Sequence, residues 1–336
     1  MTAEVRPQSA PADVCIVIVS FNIRELLRQC LQSLPAACAG VTWETLVVDN
    51  ASIDGSADMV AGEAPQATLI RAPVNLGFAA ACNRGFAGVT ARYVVLLNTD
   101  AFPRPGAIAR AVERMDASPA VGLAGGRLVG ADGAWQPSAR RFPSLLDELL
   151  TLSGLASRYP RSRFFGRVDR TWASPEEAAA VDWVPGAFCI IRRSLLERVG
   201  CFDERFFLYY EEVDLCRRLK AAGHAVWYWP DIVVTHLGGQ AVRTIGGHAW
   251  STAGQQLTSW RMRSTLLYYR KHHGARGAWG VRFIETLWHA ARAWRHSGST
   301  APERRARVVE SRKTIALMQQ AWQDTRGGRV SPPRPW

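Results

Sequence analysis

A chain whose first hundred residues alternate between short β-branched runs and helix-period segments has few architectures open to it. Val14–Ser20 is a continuous apolar run, short enough for a strand buried on both faces. Leu26, Leu27, Cys30, Leu31 and Leu34 then recur at helical spacing, and Pro35 is expected to close that helix. A second strand is predicted over 45–48, followed by a turn rich in Asp, Asn, Ser and Gly over 49–55. A helix over 56–61, a strand over 68–70, a helix over 78–86 and a buried strand over 93–97 complete the series. This order predicts an α/β fold with a mostly parallel central sheet flanked by helices.

Beyond residue 120 the pattern loosens, and 135–180 reads as a surface excursion rich in Arg, Pro and Ser. A strand over 188–191, a helix over 194–199 and a helix over 211–222, closed by Gly223, bring regular structure back. Two short strands are expected over 226–229 and 232–235. From Ser259 onward the chain is helical, basic and rich in tryptophan. The expected organisation is a flexible start (1–13), a domain over 14–240 with halves 14–120 and 121–240, a basic helical extension (241–325) and a flexible tail (326–336).

Charge separates these parts. Residues 1–240 hold 24 Lys and Arg against 25 Asp and Glu, whereas residues 241–336 hold 17 against 4, so the whole net charge of +12 lies in the last quarter. A near-neutral body with a basic terminal region implies an anionic contact for that region. Trp260, Trp279, Trp288, Trp294 and Trp322 are set among arginines there, a layout suited to an interfacial amphipathic helix on anionic lipid. The alternative is a helical appendage that packs its tryptophans on the body. The first 13 residues lack a signal-peptide layout and no apolar stretch approaches the ~20 residues of a span, which predicts a cytoplasmic protein. Seven cysteines without a Cys-x-x-Cys pair predict neither a disulfide framework nor a structural zinc.

In an open parallel sheet, ligands bind at the carboxyl ends of the strands. Ser20-Phe21-Asn22, Asp49-Asn50-Ala51-Ser52 and Asn98-Thr99-Asp100 put polar groups there, although each could be a plain turn. No Gly-x-Gly-x-x-Gly follows the first strand and no P-loop occurs, which excludes the usual dinucleotide and P-loop readings. Asp100, ending an apolar run, can hold Mg²⁺ or Mn²⁺ together with phosphate oxygens. Glu211, Glu212 and Asp214 follow the aromatic run 206–210, and an acid held against aromatics can serve as a general base. These acids could equally be complementing a helix dipole. His236 stands at another strand end.

Seven segments in order resemble family 2 inverting glycosyltransferases, and within them the bacterial branch that includes rhamnosyltransferases of surface polysaccharide assembly. They are the segments 17–22 (VIVSFN), 47–56 (VVDNASIDGS), 75–83 (NLGFAAACN), 96–100 (LLNTD), 136–143 (QPSARRFP), 202–216 (FDERFFLYYEEVDLC) and 236–239 (HLGG). The resemblance implies a GT-A fold, a Rossmann-like nucleotide half joined to an acceptor half around one sheet. It places Asp49 on the nucleobase or ribose, Ser20 and Asn22 in the base pocket, and Asn75, Gly77 and Asn83 beside it. Asp100 matches the final acid of the metal motif, whose first acid is replaced by Asn98, and His236 matches a histidine completing the metal or diphosphate site. Glu212 matches the general base, with Glu211 as its competitor. Trp183, Gly186 and Asp214 are expected on the acceptor side, and Arg140, Arg141 and Arg243 as diphosphate contacts.

The function so implied is transfer of a sugar, rhamnose from dTDP-rhamnose first and UDP-sugars second, to a glycan or polyprenyl-diphosphate-linked acceptor. Mg²⁺ or Mn²⁺ is the implied cofactor, and the implied location is the inner face of the cytoplasmic membrane. A nucleotidyltransferase of sugar phosphates would normally carry a Gly-rich basic loop after the first strand, which Ser20-Phe21-Asn22 does not offer. A basic nucleic-acid binder is prompted by the charge but contradicted by the near-neutral body, so no nucleic-acid partner is expected.

Overall fold

The computed structural model describes residues 11–238 and 250–331. β1 (Val14–Ser20) shows why the sheet forms: Val14, Ile16 and Ile18 join one core cluster while Cys15 and Val17 join another. That two-residue alternation is the mark of a strand covered on both faces. The first cluster takes in Leu27, Cys30 and Leu34 of α1 (Arg24–Ala37) and Ile108 and Val112 of α4 (Ala107–Asp116). The second takes in Ala79, Cys82 and Phe86 of α3 (Phe78–Ala87).

The strands lie in the order β3 (Thr68–Arg71), β2 (Trp43–Asp49), β1, β4 (Tyr93–Asn98), β9 (Phe188–Arg192), β6 (Val121–Val129), β10 (Ala225–His236) and β5 (Ala101–Pro103). The short β7 (Trp135–Gln136) and β8 (Ala179–Val181) pair with β6 and β10. The first four strands are mutually parallel, as expected, and so are β6 and β10. The sheet as a whole is mixed, because β9 runs antiparallel to both β4 and β6, and β5 antiparallel to β10. This reversal matters for the site. Phe188 pairs with Leu97, so the chain entering β9 lies at the carboxyl end of β4, where the Asn98 N–H donates to the Ala187 carbonyl at 3.0 Å.

Several local expectations are corrected. Pro35 sits within α1, which continues to Ala37. The region after residue 120 is a central strand, β6, whose apolar pattern is diluted by glycines. At Gly126 a Cβ would come within 2.4 Å of the Ile232 carbonyl oxygen, so the residue that obscures the strand signal is what lets β10 approach. The two strands expected after 225 are one, with a register shift between Trp229 and Val233 around Pro230. The excursion contains the capped helix α5 (Leu145–Leu152) and the short α6 (Leu155–Arg158). Asp13 belongs to the body, bound to Thr42 and Arg92. Gly327 and Gly328 are buried against Trp322 and Leu266 rather than frayed.

The basic extension forms α9 (Trp250–His296), broken at Gly274, and α10 (Pro302–Asp324), after α7 (Arg193–Val199) and α8 (Glu211–Ala221) have completed the body. Met262, Leu266, Leu267, Tyr268 and Tyr269 of α9, with Met318 and Ala321 of α10, lie in the same core cluster as β4 and α8. One face of this region therefore packs on the body. One face of α9 stays apolar and exposed: Trp279, Phe283, Leu287 and Trp294 are 57%, 49%, 55% and 82% accessible.

Candidate active site

The ends of β1 and β2 are locked by side chains bonding to turn backbone. Asn22 adopts a left-handed φ of 52°; its N–H donates to Ser52 Oγ at 3.0 Å and its Oδ1 accepts from the Ile53 N–H at 2.8 Å. Asp49 Oδ2 accepts from the Ser52 N–H at 3.1 Å, leaving Oδ1 buried without a partner. Ser20 Oγ is likewise buried and unpartnered. Two orphaned polar atoms at adjacent strand ends, a hydroxyl and a carboxylate oxygen, with Ser20 pairing with Asp49 in register, are the kind of feature that a ligand would satisfy.

Asn50, placed at a strand end by the sequence but given no role there, organises the neighbouring loop. Its amide donates to Asn75 Oδ1 at 3.0 Å and its Oδ1 accepts from the Leu76 N–H at 2.8 Å. Gly77 has φ 82°, and a Cβ there would meet the Phe207 carbonyl oxygen and ring at 2.6 Å. The same approach lets the Phe78 N–H donate to the Phe207 carbonyl at 2.7 Å, which ties the loop before α3 to the loop before α8. Asn83 is a clamp on that second loop, bonding both backbone groups of Phe202 and the Glu204 carboxylate.

Asp100 is buried, and its Oδ1 lies 3.5 Å from His236 Nε2. Gln136 fixes the ring: its Nε2 donates to the His236 carbonyl at 2.8 Å, which leaves its Oε1 to accept from His236 Nδ1 at 2.9 Å. Gln136 thus turns Nε2 of the ring towards the Asp100 carboxylate, and an imidazole nitrogen beside a carboxylate oxygen fits a hard divalent ion completed by water and phosphate oxygens. Among the described residues, no group of three or more His, Cys, Asp or Glu side chains is placed to hold a metal. Asn98 holds the β4 end through its backbone rather than adding a carboxylate.

Glu211 and Glu212 open α8 after two consecutive left-handed residues, Tyr209 (φ 71°) and Tyr210 (φ 72°). Each such residue costs about 1–2 kcal/mol, so the aromatic loop is held there by its surroundings. Trp260 of α9 stacks on Phe207 at 4.2 Å between ring centroids, Ser264 Oγ donates to the Leu208 carbonyl at 2.7 Å, and Tyr268 packs on Tyr210 at 5.1 Å. The C-terminal helix thus sets the conformation that presents the two glutamates.

The two acids then part. Burial and the neighbouring Glu212 push Glu211 well above the ordinary carboxyl range, while the Oε2 atoms of both glutamates are buried without a partner. Burial also raises Glu212, opposed by its own backbone N–H, by the Gly186 N–H and by the Arg140 charge. Glu212 lines a cavity of about 280 Å³ together with Arg140, Glu148, Trp183, Tyr209 and Arg261; Glu211 does not. A carboxylate raised towards neutrality and open to a cavity is fit to take a proton. Because Gly186 precedes Ala187, which bonds Asn98, the Glu212 carboxylate and the Asp100 loop belong to the same rim of the sheet.

Trp183 is placed as expected, its Nε1 donating to the Arg141 carbonyl at 2.8 Å and its ring carrying the Arg140 guanidinium at 5.0 Å. Arg140 itself belongs to this cavity, and Arg141 is exposed. Asp214 is a correction. Fully buried on the other side of α8, it bonds Arg218, Lys271 and His272 at 2.6–2.8 Å. Helical geometry explains this, since Glu212 and Asp214, two residues apart, point to different faces. Burial opposes its ionisation, but the His272, Lys271 and Arg218 contacts outweigh that and hold its carboxyl below the usual range. Arg243 and Gly239 lie outside the described residues. Sequence reasoning missed Arg261 and Glu148; the single glutamate of the leucine-rich helix after 144 and the arginine beside Trp260 carry no motif.

The family model for glycosyl transferase family 2 matches residues 15–200. The chain is 31% identical over 232 residues to the N-acetylglucosaminyl-diphospho-decaprenol L-rhamnosyltransferase of Mycobacterium tuberculosis, covering 66% of this chain and 75% of that one. It is 29% identical over 133 residues to the rhamnosyltransferase WbbL of Escherichia coli, 39% of this chain and 43% of that one. In fold it is similar to the mannosyltransferase PcManGT from Pyrobaculum calidifontis, solved with GDP-Man and Mn²⁺, at a TM-score of 0.56, 19% identity and coverage of 96% and 90%. The architecture is that of the GT-A glycosyltransferases, and the chain belongs to glycosyltransferase family 2.

Proposed function

We propose that this chain transfers a sugar, with inversion, from a nucleoside-diphosphate donor to a glycan or polyprenyl-diphosphate-linked acceptor in cell-surface polysaccharide assembly. The observation that carries this reading is the position of Glu212, whose side chain lines a cavity and lies by Gly186, the residue before the Ala187 that bonds the end of β4. Glu212 takes the proton of an acceptor hydroxyl as that oxygen attacks the anomeric carbon. The bond to the nucleotide breaks on the opposite face, its electron pair leaving on the diphosphate oxygen, through an oxocarbenium-like transition state. Asp49 Oδ1, Ser20 and Asn22 supply the polar groups for the base and ribose. Asp100 and His236 would hold Mg²⁺ or Mn²⁺, which when bound neutralises charge on the departing diphosphate. dTDP-rhamnose is the favoured donor because two relatives are named for rhamnosyl transfer, and the lipid-linked acceptor is favoured by the diphospho-decaprenol in one of those names.

On this reading the reaction runs on the cytoplasmic face of the membrane. No helix among the described residues is long and apolar enough to cross a bilayer. The exposed strip of Trp279, Phe283, Leu287 and Trp294, with Arg276 and Arg295 also exposed, would lie in the interface against anionic lipid. Vesicles containing anionic phospholipid should retain the protein, and Trp279→Ser with Phe283→Ser should release it without changing its unfolding midpoint. Equal retention of that variant would remove the strip from the role.

The central test is transfer from dTDP-rhamnose to polyprenyl-diphosphate-linked GlcNAc, with the anomeric configuration of the product read by NMR. Glu212→Gln should abolish transfer while donor binding by calorimetry persists. Unchanged turnover in that variant would take the proton-accepting role from Glu212.

A further inference from the structure

The excursion after α6 encloses a second cavity, of about 460 Å³, lined by Arg161, Arg163, Arg170, Trp172, Ser174 and Glu177 among others. The Arg163 and Arg170 guanidiniums lie 4.8 and 5.3 Å from the centroid of the one Trp172 ring, which orients both. Nearby arginines are paired: Arg167 with Asp147 at 3.0 Å and Arg140 with Asp169 at 3.3 Å. Among the described residues, Arg161, Arg163 and Arg170 have neither a carboxylate partner nor a side-chain hydrogen bond, and Arg170 Nε is buried without one. Arg170 also adopts a left-handed φ of 50°, a strained choice for a residue with a Cβ. Arg161 and Arg163 are exposed and Arg170 half-buried, so three like charges share one space with a single lining acid, an arrangement that attracts an anion. Guanidinium forks favour phosphate oxygens among anions.

The position of this cavity narrows the ligand. Val168 and Asp169 line the Glu212 cavity and the next residue, Arg170, lines this one, so a single stretch of backbone walls both. We propose that the arginine cavity binds the diphosphate of a lipid-linked acceptor while the acceptor sugar enters the Glu212 cavity. This rests on the acceptor class proposed above, and it adds which residues of this chain recognise it.

The probe is inorganic pyrophosphate, titrated calorimetrically into the full chain without divalent cations. Arg163→Gln/Arg170→Gln should weaken binding roughly 100-fold or more, the loss of two charge-assisted contacts, whereas Asp100→Ala should not. Binding unchanged in the arginine variant, or lost in Asp100→Ala alone, overturns the site. In steady-state transfer, the arginine variant should raise KM for polyprenyl-diphosphate-linked GlcNAc and leave the donor KM and the unfolding midpoint as they are. Lost pyrophosphate binding with an unchanged acceptor KM means that the cavity holds free phosphate, which overturns the acceptor assignment. Should the unaltered protein use no lipid-linked acceptor, the proposed function and the acceptor assignment both fall, while the pyrophosphate titration still decides whether this is a diphosphate site.

Discussion

The donor-side rim takes its polar residues from the ends of three neighbouring parallel strands, each followed by a short turn, within the first 100 residues. The cavity around Glu212 gathers Arg140, Glu148, Trp183, Tyr209 and Arg261 from segments scattered between residues 140 and 261. The first wall is a consequence of strand alternation, and its turns are closed by local bonds such as Asp49 to Ser52 and Asn75 to Gly77. The second wall exists only once α9 has packed on the aromatic loop. Donor-side substitutions should therefore act locally on binding, and acceptor-side ones should mix chemistry with stability.

The largest effect that would break this comparison lies in the glutamate pair. Glu212→Gln should lower kcat by about 10²- to 10⁴-fold, the usual contribution of a general base. Glu211→Gln, replacing a buried carboxyl that burial and Glu212 push upward and that lines no cavity, should cost less than ~10-fold on the same scale. Since burial raises Glu212 above the ordinary carboxyl value of 4.5, the acidic limb of kcat should lie above that pH. A reversed order of the two variants would move the base one residue and off the cavity.

Asp214→Ala tests whether α9 is structural support for the site. Its removal leaves Arg218, Lys271 and His272 around an emptied buried position, which should cost about 3–5 kcal/mol by denaturant unfolding. A loss below about 1 kcal/mol, the level of a surface ion pair, would mean that α9 is held by its apolar face alone. Deleting α9 and α10 is not an equivalent test, because it would uncover Met262, Leu266 and Tyr268 from the shared core.

Glu148 sharpens the same contrast through pH. Burial and the nearby Glu285 push its carboxyl up to about 7 from 4.5, although Tyr269 donates to it at 3.2 Å. A carboxyl raised in the folded state contributes stability that is complete below the unfolded value and is lost as pH rises through the folded one. Between pH 4.5 and 7 the protein should lose roughly 3 kcal/mol on this account, at 1.36 kcal/mol per pK unit. Glu148→Gln should flatten that slope; an unaltered profile of stability against pH would place the titration elsewhere. The smallest effect belongs to the donor rim. Asp49→Ala should raise the donor KM by about tenfold, one charge-assisted hydrogen bond, with kcat little changed. A large fall in kcat instead would show that the two walls are coupled.

Much of the donor side was legible because a strand buried on both faces must be a continuous apolar run, and the chain must turn where that run ends. Asp100 and His236 were legible as strand ends, and the family resemblance set both at the metal or diphosphate site; how they meet was not legible, since β5 and β10 are antiparallel neighbours of a mixed sheet. β6 was hidden by its glycines, whose role is to admit β10 and Val184 at close range. Asp214 carried the motif's promise yet faces α9, because helical rotation assigns neighbours to opposite sides.

The order of residues by itself determined the strand and helix alternation, the polar strand ends and the acidic start of α8, all matters of local period and turn chemistry. Only the tertiary structure decided that Glu212 rather than Glu211 meets a cavity, that one face of the basic extension joins the core, and that Trp260, Arg261 and Ser264 shape the site. Those outcomes depend on burial between segments far apart in the chain, and burial is set by which surfaces can exclude water together rather than by any short pattern.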